Sequence, residues 1–99
     1  MSEDVIEQIR ATRKKRQEKL KQTIEANNPQ AVFAEGFDNA IDGYSTDGRV
    51  IYSVYGIIGT LMNRDGMTEE EATAFFDFNI ASRLSRSLSS CTPIFMYEE

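Results

Sequence analysis

The chain has 99 residues, 40% of them apolar, with a formal net charge of −5, no histidine and a single cysteine. A chain of this length forms one domain with a small core, burying about 60–65% of its unfolded surface, and its apolar content excludes a fully disordered protein. The missing histidine removes the usual metal ligand and the commonest general base near neutral pH, so a zinc site, a Cys–His nucleophile and, more broadly, an enzyme are argued against. Cys91 cannot form an internal disulfide, and no run approaches the ~20 apolar residues that span a bilayer. The opening MSEDVIEQIR is acidic where a signal peptide needs a basic patch and an apolar stretch. A cytoplasmic protein with no cofactor and no membrane association is expected.

Charge is distributed unevenly. Residues 1–25 hold seven bases and five acids, and residues 26–99 hold four bases and eleven acids. Residues 3–26 are strong helix formers without Gly or Pro, which predicts one long helix. Ser2 is placed as its N-cap, and acids follow in the first turn, where the helix dipole favours them. The apolar positions Val5, Ile6, Ile9, Leu20 and Ile24 are interrupted by the basic run RATRKKRQEKLKQ (10–22). A helix apolar at both ends and basic in the middle does not lie flat on a core. Residues 1–27 are therefore expected to project as a basic amphipathic helix, with Val5, Ile6, Ile9, Leu20 and Ile24 available for self-association into a homodimer or higher homo-oligomer.

ANNPQ, with Pro29 disfavouring helix at Asn28, predicts a hinge over 28–37. DNAIDGY and RVIYSVY then flank STDG, whose Asp-Gly pair favours a hairpin turn, giving strands near 38–44 and 49–53. Val54, Ile57, Ile58, Leu61 and Met62 recur at helical spacing despite Gly56 and Gly59, which suggest close approach by another element. Gly66 supplies a left-handed C-cap. Thr68 and Glu71 form a capping box, and Met67 is placed to staple against Ala72. Ala72, Phe75, Phe76, Ile80 and Leu84 form one face of a helix running to about 84, with Phe75 and Phe76 expected in the core. Pro93 opens a terminal strand, as proline does at strand starts and edges. The expected fold class is α+β: a long N-terminal helix, then β-hairpin–α–α–β over 38–99, with a three-stranded antiparallel or mixed sheet covered by two helices.

The stretch AIDGY … GRVIYSVYGIIGTLMNRDGMTEEEATAFFDFNI … TPIFM resembles a family of small, largely uncharacterised proteins encoded mainly by bacteriophages. The shared pattern is a first strand ending in Gly, then R-x-[VI]-Y, L-M-x-x-x-G-M, [ST]-x-E-E-A-x-x-[FWY]-[FI]-x-[FY]-N, and T-P-[IV]-[FI]. It falls on Gly43, Arg49, Tyr52, Leu61, Met62, Gly66, Met67, Glu70, Glu71, Ala72, Phe75, Phe78, Asn79, Thr92 and Pro93. The resemblance covers roughly residues 38–97 and none of the first helix, and IASRLSRSLSSCT departs from the family's short glycine-containing link. It implies a viral origin, the host-cell cytoplasm and a small accessory role, with binding to a host protein, and supplies no catalytic residues.

Three candidate sites follow from the residues. Arg13, Lys14, Lys15, Arg16 and Lys19 on the basic run suit an acidic protein surface. Nucleic acid is a weaker alternative partner, since no aromatic is interleaved with the bases. In FFDFN, Phe78 and Asn79 are either a partner-binding patch or, the favoured account, local structure: Phe78 packed under the first helix and Asn79 bonded to the hairpin backbone. Tyr44, Arg49, Tyr52 and Tyr55 cluster around the hairpin as a candidate small-ligand pocket, with β-propensity and cross-strand packing as the competing explanation.

Overall fold

In a computed structural model, described over residues 3–85 and 91–97, the chain is α+β with a mixed three-stranded sheet. The side chains of Ile6 and Arg13, the residue Ser2 and the segment 86–90 lie outside the described residues. The elements are α1 (Glu3–Asn27), β1 (Ile41–Tyr44), β2 (Val50–Ser53), α2 (Val54–Asp65), α3 (Glu69–Phe75), α4 (Ser82–Ser85) and β3 (Ile94–Met96). A 3-10 turn (Asp38–Ala40) precedes β1, and a π-helical segment (Phe76–Ala81) joins α3 to α4.

The hairpin forms where Asp-Gly predicts it, through a three-residue loop. Ser45 N–H donates to Arg49 O at 2.8 Å, Gly48 N–H donates to Ser45 O at 3.0 Å, and Gly48 takes φ +82°. That is a tight turn closed by a left-handed glycine. A Cβ on Gly48 would also sit 2.9 Å from the Asn28 Cβ. β1 starts later than predicted, because Asp38–Ala40 turn instead of extending. Phe37 and Ala40, three residues apart, are both buried, and a turn with three residues per revolution points both inward. A register shift between Ile41 and Gly43 adds one residue to β1 opposite β2.

β2 is the middle strand. It pairs antiparallel with β1 and parallel with β3, setting Tyr52 opposite Phe95. A parallel pair needs a long crossover, which α2, α3 and α4 supply. Ser53 ends β2 and caps α2, its hydroxyl accepting from Gly56 N–H at 3.0 Å. Gly56 is where the close approach occurs, since a Cβ there would lie 3.1 Å from the Ala40 Cβ. Gly59 has nothing within 4 Å of the same position. Gly66 adopts φ +69° as C-cap of α2, and the Thr68–Glu71 capping box starts α3 with both reciprocal bonds at 3.2 Å.

One cluster forms the core, joining Ile41, Val50 and Tyr52 of the sheet to Ile24 of α1, Ile57 and Leu61 of α2, Ala72 of α3, and Phe76 and Ile80 of the π segment. The stripe 72–76–80–84 repeats every four residues, which on an α-helix drifts by about 40° per step. The π segment, with more residues per turn, takes up that drift and keeps Ala72, Phe76 and Ile80 inward. Phe75 falls outside the stripe. It is 36% exposed where Phe76 is 3%, so its predicted place in the core is corrected.

The segment 28–37 is likewise a packed strap and not the predicted hinge. Ala34 and Phe37 are buried, and Val32 N–H donates to Cys91 O at 3.1 Å. Arg64 donates to Gly36 O at 2.9 Å while lying over the Phe37 ring. Asn28 braces the strap to the hairpin, accepting from Gln30 N–H at 3.2 Å and donating to Gly48 O at 3.2 Å.

The aromatic assignment is directly testable by urea unfolding. Phe76→Ala is expected to cost about 3–5 kcal/mol, while Phe75→Ala changes stability by less than about 1 kcal/mol, as at exposed positions. Equal effects would contradict this packing.

Candidate functional site

Among the described residues, those that hold α1 to the body lie along its C-terminal half. Ile24 is fully buried, and Leu20 packs on the core. Lys21 bridges Asp38 at 3.0 Å and lies over the Phe33 ring, and the Gln17 amide donates to Asn39 O. The helix packs on β1 and the 3-10 turn. Leu20 and Ile24 are therefore committed to their own domain, which removes them from the predicted self-association set. Toward the N-terminus Val5 is 42% and Ile9 50% exposed. They line a shallow groove with Gln8, Thr12 and Arg16. Lys14, Lys15, Arg16 and Lys19 are exposed. A 25-residue helix is about 37 Å long, and the radius of gyration of 14.4 Å exceeds the ~13 Å typical of a compact 100-residue domain. The projection of the arm is the direct reason.

A second surface lies on the outer side of α3 and the π segment, where Glu69, Glu70, Thr73, Ala74, Asp77 and Phe78 line a shallow groove. Phe78 is 76% exposed, and Asn79 is exposed as well. The expectation that Phe78 packs under the first helix is overturned. Phe78 stands out into solvent where Phe76 is buried, and α1 packs instead on β1 and the 3-10 turn. Nor does Asn79 bond the hairpin backbone. The acidic face is a feature that the residue patterns do carry, since the adjacent rows Glu69, Thr73, Asp77 and Glu70, Ala74, Phe78 each repeat at i, i+4 and i+8.

The tyrosines and Arg49 do not converge on a pocket. Tyr52 is fully buried, its hydroxyl accepting from Ala34 N–H at 2.7 Å and its ring stacked on Phe95 at 5.9 Å. Arg49 is tied to the start of β3, donating to Thr92 O at 2.7 Å and Thr92 Oγ1 at 3.2 Å. Tyr44 is exposed beside the hairpin loop. Tyr55 is exposed and meets Tyr97 edge-on at 5.8 Å. The quartet is thus dispersed by the sheet: one ring faces the core, Arg49 clamps an edge strand, and two rings face solvent. Among the described residues no His/Cys/Asp/Glu group is placed to hold a metal ion, and no helix is long and apolar enough to cross a membrane.

Compared with protein-family models, curated proteins and solved structures, the chain matches none.

Burial pushes the Tyr52 hydroxyl up to about 12. A folded value above the unfolded one near 10 means that the unfolded chain releases this proton first. The Tyr52 contribution to stability is therefore complete below pH 10 and is lost as pH rises toward about 12. In a titration at 295 nm, one of the four tyrosines is expected to ionise only near that upper limit, together with unfolding. Tyr52→Phe should remove this step and cost about 1–3 kcal/mol by stranding the Ala34 amide.

Proposed function

We propose that the chain is a small accessory protein of the bacteriophage type its motifs resemble, working in the host cytoplasm by binding a host protein. A defence factor or a polymerase is the kind of target such a protein would obstruct. The reading is carried by one observation: the N-terminal half of α1 stands away from the body with Val5 and Ile9 exposed beside a run of bases. A helix of about 12–15 residues is marginal in water without packing, so a partner surface that covers this half gains helix order along with apolar burial. The target surface would be acidic around an apolar centre, matching Lys14, Lys15, Arg16 and Lys19 around Val5 and Ile9.

Nucleic acid is the second reading, favoured by the exposure of those same four bases. It is disfavoured by the acidic balance of the remaining chain, which repels phosphate.

Affinity capture from host lysate with the tagged full chain separates the two. A host protein is expected to be retained by the wild type and lost, at a cost of tenfold or more in Kd (about 1.4 kcal/mol), with Ile9→Asp. Retention unchanged by both Ile9→Asp and the triple Lys14/Lys15/Arg16→Ala would exclude the arm as the binding element. If nucleic acid is the partner, gel shifts should show a steep salt slope that falls by about 3 in the triple variant, with Ile9→Asp nearly neutral.

A further inference from the structure

Two of the exposed apolar features, Val5 with Ile9 on α1 and Phe78 beyond α3, occupy opposite electrostatic settings. The run 10–22 carries seven bases and one acid, whereas residues 65–82 carry five acids and no base. Each feature is also ordered along its helix. On α1 the apolar pair Val5 and Ile9 precedes Arg16, which lies on the same helix face and lines the same groove. Along α3 and the π segment the acids Glu69 and Glu70 precede Phe78. At 1.5 Å per residue, the apolar and charged groups are about 13 Å apart along both helices. Laid antiparallel, the two helices would set Val5 and Ile9 on Phe78 and Arg16 on Glu69 and Glu70.

We propose that the N-terminal half of α1 of one copy packs antiparallel on the outer face of α3 of a second copy, and reciprocally, in a two-fold dimer. This rests on the reading of α1 as a binding arm and names its resting partner. Within its own chain the arm's helix packs on β1 and the 3-10 turn, while α3 packs on α2 and the π segment. Both outer faces are thereby left toward solvent. A reciprocal arrangement follows from size. One contact a few turns long is small beside the ~1,200 Å² at the lower end of stable interfaces, and the two-fold exchange doubles it. A host surface of the same acidic and apolar chemistry would compete with α3 for the arm.

Sedimentation equilibrium of the full chain tests the contact. The wild type is expected to dimerise, with Kd rising at least tenfold between about 50 mM and about 500 mM salt as screening shortens the reach of the charge pairs. Ile9→Asp and Phe78→Asp should each be monomeric where the wild type is dimeric, with unchanged melting by circular dichroism. An equimolar mixture of the two variants should recover dimer in part, because each mixed pair keeps one intact arm–face contact. Glu70→Lys should weaken the dimer, and adding Arg16→Glu should restore it. A wild type monomeric at all concentrations overturns the proposal, as does a dimer indifferent to Phe78→Asp, which would be arm-on-arm pairing. Loss of dimer in both variants without recovery on mixing overturns the reciprocal exchange. A monomer that still retains a host protein through Ile9 removes the dimer and leaves the binding arm standing. A dimer of the stated behaviour that retains no host protein does the reverse.

Discussion

The buried hydroxyl of Tyr52 accepts the Ala34 amide at 2.7 Å while its ring stacks on Phe95, and Phe95 meets Phe76 edge-on at 5.2 Å. Through this one side chain the strap after α1, the middle strand, the terminal strand and the π segment are held in a single arrangement. Each link constrains the next: a strap amide without an acceptor would be costly to bury, and the strap carries Ala34 and Phe37 into the core. Phe95 sits opposite Tyr52 on the last strand, and Arg49 holds Thr92, two residues before that strand begins, onto the hairpin. The C-terminal half of α1 then finds a surface for Ile24, while Val5 and Ile9 of the N-terminal half stay exposed.

That division explains why charge and packing separate along α1. Ile24, Leu20 and the Lys21–Asp38 pair hold the helix where it crosses the body, and beyond Gln17 the bases Lys14, Lys15 and Arg16 face water. The body has its acids concentrated on the first turn of α3, where they also complement the helix dipole and the Thr68 cap. An acidic body with a basic arm draws oppositely charged surfaces toward each part over roughly a Debye length, so association of either part is faster at low salt. Val5, Ile9 and Phe78 are exposed apolar groups set among those charges.

Local chemistry was the part of the fold legible in the sequence. Gly66, Thr68 and Glu71 act within a few residues of one another, and the structure has the C-cap and capping box where that spacing puts them. Asp-Gly similarly fixes the hairpin, and unbroken helix formers fix α1. Long-range choices were not legible. Nothing local tells the terminal strand to run parallel to β2, because the pairings that decide it, Tyr52 with Phe95 and Arg49 with Thr92, join residues more than forty positions apart. Pro29 signals the end of α1 correctly but says nothing of the burial of Ala34 and Phe37. Of the candidate sites, the projecting arm is visible in its interrupted stripe. The tyrosine cluster misleads because spacing does not reveal that one hydroxyl has a backbone amide to accept. Phe75 misleads because, three residues after Ala72, it sits at the edge of the buried stripe, and the row Ala72, Phe76 and Ile80 is the one that packs inward.

The π segment separates two requirements that a regular helix would couple. Inward, it keeps Phe76 and Ile80 in line with Ala72; outward, it sets the direction of Phe78 independently of that line. Removing one residue between 76 and 81 would restore a regular turn and rotate everything downstream by about 100°, carrying α4 and the approach to β3 with it. Insertions and deletions are therefore tolerated least where this helix is least regular, and the length of this turn is as much a part of the chain's specificity as any side chain on it.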